Sequence, residues 1–425
     1  MKKAMFKHIL KLIKVQGEGN AWVFTELLIV FILLWWSVDM FLMQGVVALQ
    51  PEGFSVENVC KVTLAARPAT SPAYVRYEEG SDEMVKNYLR VIERLRTHPD
   101  VEAVTYCQPH SVPYNYANNS RMYWNDTISA ANGLVYDVTP DYFRVFDIHT
   151  ADGGSPEQLA AALADGWVVS RTLEEKLVGK GSLQGKRLAL NKGDSTTYRV
   201  NGISAPVKKQ GFDLLRPVAF MPLAEKDIYA FNEHDLALMQ ICFRLRPGIK
   251  GSSDYAASFK KEMKQSLTAG NFWLADVQYF PDIRRRFLEN SMEVNMHRMS
   301  VAVNVFLLVN VFLAVIGAFW FRVNRRRGEL GLRMAVGSTR RDIRLLVSGE
   351  GLLILTITAI PALLVCLNLA HADFLNTEVM KVTFGRLLVD SLLTWGILAG
   401  IIMLATWYPS RKASRLEPVE ALHYE

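Results

Sequence analysis

The sequence predicts an integral membrane protein with four transmembrane α-helices and a large α+β domain outside the cytoplasm, between helices 1 and 2. Three observations lead there. Four long apolar stretches are present, a block of ordinary soluble composition separates the first two, and each basic cluster lies beside an apolar run. The 425 residues are 50% hydrophobic with a mean hydropathy of +0.10, an average over a soluble part and a far more apolar part.

The four apolar stretches are long enough to cross a bilayer. They cover residues 21–49, 299–321, 345–369 and 387–408. A helix needs about 20 apolar residues to cross the hydrocarbon core, and it is the only open-chain way to satisfy the backbone there. The first stretch is too long and starts too far into the chain for a cleaved signal peptide, and no A-x-A site follows it.

The basic residues predict the orientation of the spans. They gather in the N-terminal segment 1–20, in the loop 322–344 and in the tail 409–425, which the positive-inside rule places in the cytoplasm together with both termini. The short loop 370–386 then lies outside. Segment 1–20 is either an amphipathic helix on an anionic lipid surface or a basic flank. Since no soluble module presents a basic face, a nucleic-acid partner is not expected.

Acidic residues near the apolar stretches have two interpretations. Asp39, at the end of the first apolar core, needs water or a partner if it lies within the membrane. Alternatively, the helix ends near Val38 and Asp39 reaches the outer headgroups, which is the interpretation that the sequence favours. Glu350, near the start of the third span, is interpreted in the same way, and Pro361 predicts a kink in that span.

The outer domain, residues 50–285, repeats one pattern. A strand at 58–65, a helix with apolar residues at helical spacing and a strand at 101–107 are followed much later by a strand at 236–245, a helix and a strand at 272–280. This predicts one α+β subdomain interrupted by a β-rich insertion at 108–235. Residues 286–298 are charged, lack helix breakers, and predict a stalk helix that continues into the second span.

Residues that could carry catalysis or hold a cofactor are scattered. Cys60, Cys107 and Cys242 fall in the outer domain without a CxxC pair and allow at most one disulfide. The glycine- and lysine-rich stretch 179–187 lacks the spacing of a nucleotide-binding loop, and the eight histidines lack metal-binding spacing. Ser258 and Lys261 form an S-x-x-K pattern on an amphipathic helix with further lysines. An enzyme and a bound cofactor are therefore not expected.

Two long stretches carry a family resemblance. Residues 324–343 read NRRRGELGLRMAVGSTRRDI, and residues 409–422 read PSRKASRLEPVEAL. Both resemble conserved stretches of MacB/FtsX/LolC-type ABC transporter permeases. Weaker similarities to the MacB-like periplasmic core lie at 138–143 and 177–180. The first span is bulkier than is usual in that family and contains Asp39, and the outer domain is divergent, so the substrate stays open.

The resemblance implies a function. The chain would be the permease subunit of a MacB-like transporter in the inner membrane, and ATP hydrolysis by a separate ATPase would move its outer domain for export or for handling lipoproteins or peptides. A homodimer, a heterodimer with a related permease and an outer periplasmic partner are implied as well. The alternative is an FtsX-like regulator of the cell envelope that uses the same stroke.

Segment 329–343 would be a short helix seated in the ATPase. Its arginines would pair with acidic groups of that partner, and its glycines would permit a turn or close approach. The residues implied in coupling are Glu329, Gly331, Arg333, Ala335, Gly337, Arg340, Arg341 and Asp342.

Overall fold

The computed structural model describes residues 17–413 except 79, 126–128, 212, 373, 376 and 378, without the side chains of 17–20, 293, 322, 327, 340 and 408–413. Most of the predicted N-terminal segment and cytoplasmic tail lies outside these residues. The chain forms two compact units. A membrane unit combines Met1–Leu49 with Asn295–Glu425, and an outer unit spans Gln50–Val294.

The long apolar helices belong to the membrane unit, and most of the short helices belong to the outer unit. In chain order they are α1 (Gly17–Leu49), α2 (Glu83–Arg96), α3 (Tyr142–Phe146), α4 (Pro156–Asp165), α5 (Arg171–Val178), α6 (Glu225–Ile228), α7 (Glu233–Leu238), α8 (Ser253–Met263), α9 (Phe280–Asn290), α10 (Met292–Arg325), α11 (Arg327–Ala335), α12 (Arg340–His371) and α13 (Phe384–Ala413).

The strands all belong to the outer unit. They are β1 (Val59–Ala66), β2 (Val101–Cys107), β3 (Ser120–Trp124), β4 (Ala130–Val138), β5 (Trp167–Ser170), β6 (Arg187–Ala189), β7 (Thr197–Ser204), β8 (Val218–Pro222), β9 (Gln240–Leu245) and β10 (Phe272–Tyr279).

Helices α1, α10, α12 and α13 confirm the four predicted spans. Their membrane-length apolar parts are Ala21–Leu49, Val294–Arg325, Arg341–His371 and Phe384–Trp407. Buried side chains from all four form one apolar core, while many large apolar side chains remain exposed on the outside of the unit. In a bilayer these exposed side chains meet lipid, so their exposure is expected.

The predicted stalk helix is interrupted. Helix α9 ends at Asn290, Ser291 has an extended backbone (φ −66°, ψ 130°), and α10 begins at Met292. The prediction of one continuous helix through 286–298 into the second span was therefore wrong. The segment holds no Pro or Gly, so helix propensity gave no warning of the break.

The first and last strands of the outer unit form the predicted α+β arrangement. The sheet order begins β10–β1–β9–β2, and β1 pairs antiparallel with both β10 and β9. Helices α2 and α8 bury apolar side chains with these strands in one core. The strand predicted at 236–245 begins only at Gln240, because a capping box between Asn232 and Asp235 starts helix α7 ahead of it.

The insertion extends the same sheet. Its strands follow in the order β4–β3–β6–β7–β5–β8, and β8 pairs back onto β4, so six strands close a ring. The pairing of Cys107 in β2 with Val138 in β4 joins this ring to the other four strands. The insertion also holds the short helices α3 to α6, which the strand pattern did not predict. All four cysteines are buried and free, so the open possibility of a disulfide is not realised.

Candidate functional site

Helix α11 lies in the segment that the sequence predicts to couple the chain to an ATPase. One face of the helix is fixed by apolar contacts. Leu330 is buried together with Val323 of α10 and with Ile343 and Val347 of α12, and Met334 packs against the same cluster. Burial of these side chains anchors α11 to the spans on either side of it.

A network of four charged residues holds the same helix, and we call it the Glu329 network. The guanidinium of Arg326 donates to both carboxylate oxygens of Glu329, at 2.8 and 3.1 Å. A third Arg326 nitrogen donates to Glu350 of α12 at 2.6 Å. Arg333 donates to Glu329 at 2.8 Å. Among the side chains that the structure describes, two acids face two bases, so these four charges balance, and they link α11 to α12 through charge-assisted hydrogen bonds.

The carboxyl group of Glu329 stays ionised in this setting. Hydrogen bonds from Arg326 lower the pKa of Glu329 below its ordinary value of 4.5, against the opposing effect of burial, and Arg333 adds to the lowering. Because the pKa is lowered in the folded state, the stabilisation is complete above the ordinary value and is lost in more acidic solution. Glu329 is therefore charged at neutral pH.

A tight turn separates α11 from α12. Gly337 has φ +102°, and the amides of Gly337 and Ser338 donate to the carbonyls of Met334 and Arg333, each at 3.0 Å. These two hydrogen bonds form a Schellman motif, which ends a helix and favours glycine at the residue of positive φ. Segment 329–343 is thus not one helix as predicted. It divides at the turn that Gly337 allows.

Helix α12 begins with a reciprocal cap. The hydroxyl of Thr339 accepts from the amide of Asp342 at 3.2 Å, and the carboxylate of Asp342 accepts from the amide of Thr339 at 3.1 Å. The two side chains satisfy amides that the first helical turn leaves without partners. Asp342 therefore has a structural role at the start of the third span.

The opposite face of α11 is exposed and apolar. The side chains of Leu332 and Val336 are 57% and 82% exposed, and Ala335 and Gly337 beside them are exposed as well. Arg341, at the start of α12, is also exposed. The end of α11 thus presents an apolar surface of small area with a cation nearby, and we call Leu332, Ala335 and Val336 the α11 tip.

The structure divides the residues implied in coupling into two groups. Ala335, Gly337 and Arg341 lie on the surface, whereas Gly331 is buried, Asp342 caps α12, and Glu329 and Arg333 bind one another. The side chain of Arg340 lies outside the described residues. Sequence reasoning missed Leu332 and Val336, although their spacing of four places them on one helix face.

The interpretation of both membrane acids as headgroup residues was wrong. Helix α1 continues to Leu49, well past Val38, and Asp39 is buried in an ion pair with Arg386 of α13. Glu350 is buried and pairs with Arg326. In both cases the partner lies in a different segment of the chain, Arg386 in α13 and Arg326 just before α11, and the pattern within a single span does not reveal it.

Comparison with known families agrees with the architecture. A model described as "MacB-like periplasmic core domain" matches residues 40–252, which is half of the chain. A model described as "FtsX-like permease C-terminal" matches residues 301–418. The chain belongs to the MacB-like permease family. Its outer unit is the periplasmic core domain of that family, and a periplasmic domain carried by four spans fits a protein of the inner membrane.

Individual relatives are distant from this permease. The "Macrolide export ATP-binding/permease protein MacB" of Sodalis glossinidius is 26% identical over 315 residues, which cover 70% of this chain and 44% of that protein. The protein of the same name from Bdellovibrio bacteriovorus is 24% identical over 261 residues, which cover 61% and 38%. The chain thus spans less than half the length of these relatives.

Among solved structures, the periplasmic region of MacB from Actinobacillus actinomycetemcomitans is similar. It is 12% identical with a TM-score of 0.32, and the match covers 58% of this chain and 99% of that one.

Proposed function

We propose that this chain is the membrane subunit of a MacB-like ABC transporter, in which a separate ATPase docks on the α11 tip. ATP hydrolysis on that partner would move α10 and α12 and, through them, the periplasmic domain. The N- and C-termini and α11 would lie in the cytoplasm, as the basic residues of segments 1–20, 322–344 and 409–425 suggest.

The exposed α11 tip is the observation that carries the proposal. A leucine and a valine left in water at the end of an otherwise well-packed helix gain free energy when a partner covers them, about 25 cal/mol for each Å² of apolar surface removed from water. A short helix that inserts its apolar face into a groove is a common mode of recognition. The exposed Arg341, which follows the tip by five residues, favours an acidic rim on that groove.

The contacts behind the tip support a mechanical role. Leu330 and Met334 pack on α10 and α12, and Arg326 joins Glu329 of α11 to Glu350 of α12. A push on α11 therefore acts on both neighbouring helices together. Interhelical contacts that are both apolar and charge-paired transmit displacement because packed interiors deform little.

The relatives suggest the partner and the direction of transport. Their name combines an ATP-binding part with a permease and gives macrolide export as the activity. This chain matches less than half of each relative. By analogy with that name, we propose that an ATPase partner binds ATP and that the assembly exports its substrate, as a homodimer or with a related permease.

Affinity capture of the detergent-solubilised chain from its native membrane tests this assignment. The wild-type chain should recover an ATPase, and Leu332→Asp/Val336→Asp should lose it, because two carboxylates on the tip oppose burial. Leu238→Asp is a matched control, since Leu238 is an exposed leucine of the periplasmic domain. Recovered complexes should hydrolyse ATP.

Two results would contradict the proposal. If the wild-type chain recovers no ATPase, the proposed ATPase partner would be contradicted. Equal recovery with the tip variant would place docking elsewhere. Co-purification of a periplasmic protein together with the ATPase, in a system that exports nothing, would favour the FtsX-like regulator instead.

A further inference from the structure

The membrane unit contains a second group of charged residues, away from α11. Asp39 of α1 and Arg386 and Asp390 of α13 are 3%, 4% and 0% exposed. We call these three residues the Asp39 cluster. Ionisable groups buried in a spanning segment are costly, so each of them needs a compensating partner.

Asp39 and Arg386 compensate one another. Arg386 donates from Nε to one carboxylate oxygen of Asp39 at 2.7 Å and from Nη2 to the other at 2.9 Å. A further nitrogen of Arg386 donates to the carbonyl of Met380. The two-point geometry matches a guanidinium to a carboxylate, and the pair as a whole is neutral.

Asp390 is the surplus acid. It follows Arg386 by four residues on α13, so its side chain lies on the helix face that carries the Asp39–Arg386 pair. Both of its oxygens are buried, and neither accepts a hydrogen bond within the part of the chain that the structure describes. Two carboxylates that share the surroundings of one guanidinium repel one another strongly in a medium of low dielectric constant, and such a group holds a proton in preference to a second negative charge.

We propose that Asp390 is a proton-binding site whose occupancy controls the contact between the first and fourth spans. With the proton bound, the cluster is neutral, and the hydroxyl of the Asp390 carboxyl can donate to Asp39. When the proton leaves for water, Asp390 becomes a carboxylate one helical turn from Arg386 on the same helix. It then competes with Asp39 for the guanidinium, which weakens the only ion pair described between α1 and α13.

A proton fits this site better than a metal ion. Arg386 already places one positive charge beside both carboxylates and would repel a second cation. No group of three or more potential metal ligands occurs in the described residues. Among the residues that the structure describes, Asp39 and Arg386 are the charged groups that act on Asp390, and the neighbouring third span carries no charged residue between positions 351 and 370.

Infrared spectroscopy of the full chain in lipid nanodiscs tests for the proton directly. We expect the carbonyl band of a protonated carboxylic acid at neutral pH in the wild type and its loss in Asp390→Asn. The control Asp165→Asn changes an exposed aspartate of the periplasmic domain and should keep the band. A spectrum of Asp390→Asn that retains the full band would overturn the proposal.

Thermal unfolding against pH provides a second readout. The folded state holds a proton that the unfolded carboxylate releases, so the wild type should lose stability as pH rises, by at most about tenfold in the folding equilibrium constant per pH unit for one proton. Asp390→Asn and Asp390→Leu, which cannot release a proton, should both lack this component. An unchanged pH dependence in both variants would contradict the proposal.

Thermal unfolding in choline chloride and in sodium chloride distinguishes a bound proton from a bound metal cation. The wild type and Asp390→Asn should respond equally to this exchange. Stabilisation by sodium that disappears in Asp390→Asn would show that a metal cation occupies the site, and the proton assignment would fall.

Discussion

The Glu329 network and the Asp39 cluster use the same chemistry in two parts of the membrane unit with different charge balance. The network has two arginines and two glutamates, and Arg333 and Glu329 remain partly exposed. The cluster has two aspartates and one arginine, all buried. A balanced and partly hydrated network can hold a helix in place without further ligands, whereas a buried surplus acid requires a proton. Both groups centre on an arginine paired with a carboxylate. They differ in the ratio of acids to bases and in exposure to solvent.

The largest effect should come from removing the one base of the Asp39 cluster. Arg386→Leu leaves the Asp39 carboxylate buried beside Asp390 without a counter-charge, and we expect a loss of about 3–5 kcal/mol in the free energy of unfolding. Unfolding of the purified chain in detergent would measure it. Arg285→Leu, which breaks an exposed ion pair in the outer domain, should cost less than about 1 kcal/mol.

A double variant separates lost charge pairing from lost packing. If the loss in Arg386→Leu comes from the stranded carboxylate, Asp39→Asn/Arg386→Leu should be more stable than Arg386→Leu alone. Additive losses would mean that the two residues act independently, and the comparison with the Glu329 network would no longer hold.

Removal of an acid from the Glu329 network should cost less. Glu350→Gln takes one carboxylate from Arg326, but Arg326 keeps two hydrogen bonds to Glu329. We expect a loss of about 1–3 kcal/mol, the range for a buried hydrogen bond to a charged group. The same unfolding measurement applies. If Glu350→Gln loses as much free energy of unfolding as Arg386→Leu, partial exposure and the second partner of Arg326 do not make the Glu329 network more tolerant of a lost charge.

The sequence predicted much of the architecture because the relevant signals are local. Apolar length indicates a span, and short apolar runs bounded by turn residues indicate several strands of the outer unit, including 101–107 and 272–280. The strand predicted at 236–245 was wrong at its start because residues 236–239 are as apolar as a strand, although the capping box of Asn232 and Asp235 makes residues up to 238 helical. The break at Ser291 failed because the residues around it are all compatible with a helix.

The charged sites could be predicted only in part, since they depend on contacts between distant residues. Asp39 and Arg386 are 347 positions apart, and the sequence placed Arg386 in an outer loop. The family motif pointed to the segment that contains α11, but a motif does not show which of its side chains face inward. Arg333 faces Glu329 in the structure. Leu332 and Val336 are exposed but uncharged, so the sequence analysis, which looked for charged contacts to the ATPase, did not select them.

A smaller loss of stability is expected from a change in the turn between α11 and α12, which follows the Glu329 network in the chain. Gly337→Ala places a side chain at φ +102°, which should cost about 1 kcal/mol or somewhat more in the free energy of unfolding. Gly317→Ala is the matched control, because Gly317 lies inside helix α10 with open space where a Cβ would be. There the alanine should be neutral or stabilising by up to about 1 kcal/mol. Equal behaviour of the two variants would mean that the turn is not tight.

The smallest effect on stability should come from Arg333, one of the three arginines that the motif suggests as contacts to the ATPase. Arg333→Gln removes the described hydrogen bond to a carboxylate that keeps Arg326, at a partly exposed position, so the loss should stay below about 1 kcal/mol. Capture of the ATPase should persist in Arg333→Gln and fail in Leu332→Asp/Val336→Asp. If capture fails in Arg333→Gln and persists in Leu332→Asp/Val336→Asp, Arg333 would leave Glu329 to bind the ATPase. The Glu329 network would then be part of the docking surface and would not be a fixed support of α11.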